Sequence, residues 1–192
     1  MTLRFEPWIG SKYKTTGIAG IRVLAIGESH YGVESKASTE FTTEVVNNCV
    51  YLDEYPRRPF FKKVSKLVLR MKTGQNLSDE VHRDTWDRIA FYNYIQNILP
   101  AARRRPTGPM WEYAEQVLPI AIAKLDPDLL IVMGKELRNH FPTSLCKAEV
   151  CFTEHPSSSS FTYLPWIVDI QDAIDRLKPN NSSTLSLPLA RN

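Results

Sequence analysis

Short apolar runs alternating with segments of helical periodicity predict an α/β protein built on a parallel sheet. Three observations carry that prediction. The runs Val23–Ile26 and Leu129–Met133 are continuously apolar, as strands buried on both faces are. A glycine closes each run, Gly27 after the first and Gly134 after the second. Between the runs lie segments whose apolar residues recur at three and four positions, the pattern of helices in right-handed βαβ crossovers. The sheet is therefore expected to carry helices on both faces.

Taken in order, Arg22–Ile26 is the first strand. Ser38 to about Leu52 is a helix with Ser38 as N-cap and Val45, Val46, Cys49 and Val50 on its inner side. Pro59 opens a second helix through about Lys72, with Gly74 past its end. Ser78, followed by Asp79 and Glu80, caps a third that runs to about Arg88. Ile89–Ile95 is the second strand. Pro109 starts a helix to about Leu125, which Pro119 is expected to kink or split. Leu129–Met133 is the third strand, Lys135–Phe141 a short helix and Glu149–Thr153 the fourth strand. Phe161 to about Leu177 is the last helix, stopped by Pro179. Residues 1–179 read as a single domain, and 180–192, rich in Ser, Asn and Pro, as a mobile tail.

Composition narrows the function classes. A chain of 192 residues with 43% hydrophobic content can bury a real core. A net charge of +3 does not demand a nucleic-acid partner, although local clustering matters more than the sum. No apolar stretch is long enough for a membrane span. Met1–Pro7 lacks the apolar region of a secretory signal. Cys49, Cys146 and Cys151 have no metal-type spacing, and an odd count without an export signal suggests reduced thiols and a cytoplasmic location. Cys151 is expected to be a buried hydrophobe. His82 and His140 have no motif context and are expected at the surface, whereas Trp86, Trp111 and Trp166 read as core.

Two loops follow strands directly. Gly27-Glu28-Ser29-His30-Tyr31-Gly32 follows the first strand, and His155-Pro156-Ser157-Ser158-Ser159-Ser160 follows the fourth. Ligands of open parallel sheets bind beyond the carboxyl ends of the strands. Both His-bearing loops can therefore meet at one cleft, with Asn93 near the end of the second strand.

At these residues the chain resembles the uracil-DNA glycosylase superfamily. Gly27-Glu28-Ser29-His30-Tyr31 resembles the family's first motif, written GQDPYH in the best-known branch and GEAPG in the iron–sulfur branch. Phe91-Tyr92-Asn93-Tyr94-Ile95-Gln96 resembles the strand bearing the base-reading asparagine. Asp126–Lys135 resembles the stretch of proline, strand and glycine ahead of the penultimate helix. His155-Pro156-Ser157 resembles the last motif, HPS. The resemblance covers residues 21–170 and implies a three-layer α/β/α sandwich with a four-stranded parallel sheet. It implies an enzyme that removes uracil or a related deaminated or damaged base from DNA by cleaving the N-glycosidic bond.

That chemistry needs few parts. The base leaves the duplex stack and enters a shaped pocket. A donor stabilises the departing anionic base, and a carboxylate orients water and offsets positive charge on the sugar. By resemblance, His155 is the donor and Asn93 reads the base edge, since an amide offers a donor and an acceptor. Ser29, His30 and Tyr31 complete the base pocket, Tyr31 matching the tyrosine that walls it. Ser29 stands where the best-known branch has its aspartate, and His30 where it has proline. Glu28, aligned with the glutamate of GEAPG, is then the water-orienting base, and Glu34 falls where that branch often carries a second acid. Ser157 and Ser158 match a loop that presses on the DNA strand. Arg103-Arg104-Arg105 could contact phosphates, the alternative being a solvated loop. The cysteines of an iron–sulfur cluster are missing, so neither cofactor nor metal is expected. The expected partner is DNA, single- or double-stranded, containing a modified base, with the protein a monomer. Two other classes stay open. One is an inactive member that binds nucleic acid or a nucleotide. The other is a hydrolase pairing Ser29 with His155, although the second glycine of a G-x-S-x-G elbow is missing.

Overall fold

The computed structural model describes residues 1–34, 37–52, 58–101 and 104–178. In chain order its elements are β1 (Trp8–Ile9), β2 (Val23–Gly27), β3 (His30–Tyr31), α1 (Phe41–Val46), α2 (Arg58–Val68), α3 (Asp79–Arg88), β4 (Ile89–Asn93), β5 (Ile98–Leu99), α4 (Gly108–Leu125), β6 (Leu129–Met133), α5 (Lys135–His140), β7 (Glu149–Thr153) and α6 (Trp166–Leu177). The fold is mixed α/β. Its main sheet runs β1-β4-β2-β6-β7, and β4, β2, β6 and β7 are parallel. Register pairs Gly27 with Asn93, Ile26 with Val132 and Met133 with Thr153.

The apolar runs pack as their composition dictates. Every residue of β2, β4 and β6 is buried. Val23, Ala25, Ile89, Phe91, Leu129 and Ile131 point into a core with α2 and α6. Leu24, Ile26, Ala90, Tyr92, Leu130 and Val132 point the other way, against α4 and α5. Full burial of one such aliphatic side chain contributes roughly 1.5–3 kcal/mol.

All four expected parallel strands form, within one residue for the first and to Asn93 rather than Ile95 for the second. A fifth strand was not expected. β1 adds antiparallel to β4 through Trp8 and Ile9, and two residues carry no periodicity to read. A separate ladder pairs β3 with β5, His30 opposite Ile98 and Tyr31 opposite Leu99.

Helix ends show where local chemistry overrode simple signals. Ser78 caps α3 as expected, accepting from the Val81 N–H at 3.2 Å. Ser38 instead donates to the Glu44 carboxylate at 2.9 Å, so α1 begins at Phe41 and continues as a π-helical turn, Asn47–Tyr51. α2 stops at Val68 because Arg70, not Gly74, takes the left-handed conformation first, at φ 56°. Pro119 does not end α4. It and Glu115 lie on the solvent side, where water can satisfy the carbonyl that proline leaves unpaired. α6 starts at Trp166 rather than Phe161, because the residue before Pro165 is biased away from helix. His82 is a correction: it is fully buried on α3, its Nδ1 2.7 Å from Ser65 Oγ of α2. The tail 180–192 lies outside the described residues. Among the described residues no helix is long and apolar enough to cross a membrane.

Arg22 fastens the start of β2 to the approach to β6. Its backbone N–H and guanidinium donate to the Asp128 carboxylate at 2.8–3.1 Å, and Nη1 reaches Asp126. These hydrogen bonds hold the Asp128 carboxyl below the usual range. A lowered folded-state pKa gives stability that is present above the unfolded value, near 3.9, and is lost as pH falls through the folded one. Chemical denaturation between about pH 5 and pH 2 should therefore show a progressive loss of stability, and Arg22→Met should flatten that loss.

Candidate active site

The chain leaves β2, crosses to β4 on one side, then returns to β6 on the other. That reversal opens a crevice above the carboxyl ends of β2 and β6, the usual ligand position in such sheets. Gly27, Asn93, Gly134 and the segment after Thr153 all lie at this edge.

Gly27 and Asn93 meet closely. A Cβ added to Gly27 would stand 2.3 Å from Asn93 Oδ1. The Asn93 amide thus lies over bare backbone, which only glycine provides. Beyond β4 the chain stays pinned to the first loop, as the Tyr94 N–H donates to the Gly27 carbonyl at 2.9 Å and Ile95 N–H to that of Glu28 at 2.8 Å. Asn93 is itself buried, 6% exposed.

His155 lies against Gly134, whose φ of 125° disfavours any other residue; a Cβ there would be 3.7 Å from the His155 side chain. On its other side the ring meets Phe60 of α2, centroids 5.5 Å apart and planes tilted by 31°. Phe60 also meets Phe91, in the middle of β4, with ring centroids 6.1 Å apart, so it links His155 to the core beneath α2. The backbone N–H of Ser157 donates to His155 Nδ1 at 3.1 Å. With Nδ1 accepting, the neutral ring carries its proton on Nε2. Burial, and then the nearby Lys63 ammonium, push the imidazole below its ordinary pKa. At neutral pH it is an uncharged donor.

Glu28 is half-buried and reaches a different set of neighbours. Burial pushes its carboxyl above the usual range; Arg105 and His140 pull it back and Glu136 pushes it further. Arg105 Nη1 lies 3.4 Å from Glu136, and His140 Nε2 lies 3.9 Å from it. His140, exposed as expected, stacks on Trp111 at 4.1 Å. Glu28 is thus surrounded from the α4–α5 side, whereas His155 is held from the α2 side. β2 and β7 are two strand spacings apart, about 10 Å, and that spacing separates the strand ends from which Glu28 and His155 emerge.

Other expected site residues are placed differently. His30 is 2% exposed, its Nε2 2.9 Å from Thr42 Oγ1 and its ring edge-on to Phe5 and Phe41, so it is tied into the interior. Tyr31 is half-buried in β3, opposite Leu99. Ser29 Oγ is buried and makes no hydrogen bond, so the Ser29–His155 pair required of a serine hydrolase is not formed. Glu34 accepts from the Ile98 N–H at 3.1 Å and pairs with Arg4, which commits it to holding the loop. Ser157 is exposed. The Ser158 hydroxyl meets Ser160 at 2.9 Å, and Ser160 donates to Glu154, closing the turn upon itself. Arg104 and Arg105 are exposed; Arg103 lies outside the described residues. Two open depressions of about 510 and 490 Å³, lined by residues such as Arg4, Glu34 and Asn97, lie beside the loop and include none of Glu28, Asn93 and His155. Among the described residues no three metal-binding side chains converge.

Sequence reasoning missed Phe60 and Lys63. Their one signal is a three-residue spacing on a helix near its proline start, which marks a shared face but no chemistry.

Two outcomes test this geometry. Gly27→Ala should lose roughly 1–3 kcal/mol by overpacking, and combining it with Asn93→Ala should recover part of that loss in a denaturation cycle. Carboxyl NMR should show Glu136→Gln lowering the Glu28 pKa and Arg105→Ala raising it. No family model matches the chain, and no curated protein matches it.

Proposed function

We propose that the chain is a DNA glycosylase-like hydrolase of the uracil-DNA glycosylase type, a three-layer α/β/α sandwich that removes a deaminated or damaged base by cleaving the N-glycosidic bond. The observation that supports it most directly is His155: an uncharged imidazole at a strand end, its Nδ1 occupied by the Ser157 N–H and its Nε2–H left to donate. A leaving base accumulates negative charge on its oxygens, and a positioned neutral donor stabilises that charge without losing its proton. Asn93, fixed over Gly27, presents an amide suited to a pyrimidine edge. Phe60 offers the base an apolar face between them.

Glu28 would orient the attacking water and offset the charge of the oxocarbenium-like sugar. It acts in its ionised form, and its raised pKa sets the pH at which that form appears. Arg104 and Arg105, exposed on the same rim, would take the phosphates of a DNA strand. Ser157 would meet the strand beside the target.

The test is excision from oligonucleotides carrying uracil, hypoxanthine or xanthine, in single- and double-stranded form. His155→Ala should lower single-turnover excision about 10²–10³-fold with DNA affinity near wild type. Glu28→Gln should lose excision too, and the wild-type rate should rise with pH through the Glu28 titration. Replacing Arg104 and Arg105 with Ala should weaken binding to all sequences and flatten its salt slope. DNA binding without excision of any base would leave the inactive, nucleic-acid-binding class standing instead.

A further inference from the structure

We propose that Lys63 is a positioning residue for His155, latching the turn that bears it onto α2. The inference rests on the glycosylase reading above. Lys63 lies one turn beyond Phe60, so both side chains share the face of α2 that meets this turn. Its Nζ donates to the Pro156 carbonyl at 2.7 Å. The same ammonium stands 5.1 Å from the Phe161 ring centroid, within cation–π range. One side chain therefore grips the turn just past His155 and again at its far end, while Phe60 supports the ring from the side.

Geometry makes this more than a tether. The turn's own bonds, Ser157 N–H to Nδ1 and Ser158 N–H to the His155 carbonyl at 2.8 Å, set the ring relative to its own backbone. They do not set where the turn sits over the sheet. Lys63 supplies that link to a rigid helix, and a misplacement of 1 Å at a reacting group can cost about 10²-fold in rate. Its charge has a second effect. An ammonium beside the imidazole opposes imidazolium, so the ring stays neutral with its proton on Nε2. Among the described residues, α2 brings the Lys63 ammonium to His155. Gly134 lies against its ring, and Lys135, next in the chain, lies 3.4 Å from Glu154. Glu154, the acid next in the chain, is engaged by Lys135 and Ser160.

The experiment compares Lys63→Met, Lys63→Gln and Lys63→Arg with wild type. It reads single-turnover excision from a uracil-containing single-stranded oligonucleotide, the salt dependence of binding to that strand, and the NMR titration of the His155 imidazole. Lys63→Met should slow excision about 10–100-fold with little change in affinity and raise the His155 midpoint toward its ordinary value. Lys63→Arg, which keeps donor and charge, should restore both. Lys63→Gln, which can still donate to the Pro156 carbonyl, should fold even if the Met variant does not, and should raise the midpoint while keeping part of the rate. The inference is overturned if the uncharged variants leave the midpoint unmoved. It is equally overturned if they keep the wild-type rate, or if they merely weaken binding and flatten the salt slope, which would make Lys63 a phosphate contact. Should wild type excise nothing, the glycosylase reading fails by itself, and the titrations alone decide whether Lys63 controls His155.

Discussion

The close approach of Asn93 to Gly27 is the constraint on which this site is built. Two adjacent parallel strands end in register, and the side chain of one lies where the Cβ of the other would be. The bare backbone of Gly27 admits the amide, and the hydrogen bonds from Tyr94 and Ile95 then pin the carbonyls of Gly27 and Glu28. With its backbone held, Glu28 stays within the field of Arg105, Glu136 and His140. Gly134 plays the matching part at the end of β6, where a left-handed backbone lets the chain leave the sheet and makes room for His155. Groups held by packed strands keep the precision that reaction geometry requires, which loops alone seldom provide.

Electrostatics divide the site. Glu28 sits among Arg105, Glu136 and His140, a mixed cluster whose members are largely exposed and whose ion pairs add little to stability. Their effect is on the readiness of Glu28 to ionise, because burial has already removed part of its water. His155 has no such counterweight. It is buried against Phe60 and Gly134, and that burial, followed by the Lys63 ammonium, favours the neutral ring. The Glu28 carboxyl is raised in pKa on one side and the His155 imidazole lowered on the other, and burial is the largest cause of both.

Val23–Ile26 and Leu129–Met133 were legible as strands because two-sided burial removes every polar residue, and the glycines after them marked where the chain turns. The loop containing His155 was legible from its place after a strand. The β1 edge strand was not, since two residues carry no pattern. His30 carried no sign that it would be an interior group: its partners Phe5, ahead of β1, and Phe41 and Thr42, at the start of α1, come from two separate places in the fold. Glu34 stood second to Glu28 as an acid, and its Arg4 pairing and Ile98 bond set it apart from Glu28.

By itself the sequence determined the alternation of strands and helices, the parallel sense of the four longer strands and the loops that would stand at their carboxyl edge, because these follow from local periodicity and from where glycine and proline interrupt it. Tertiary structure alone decided which side chains meet. Phe60 and Lys63 reach His155 across more than 90 residues, and Arg105, Glu136 and His140 reach Glu28 from elements far along the chain. Such contacts depend on strand order and helix docking, and these are settled by burial summed over the whole core rather than by any short stretch of the chain.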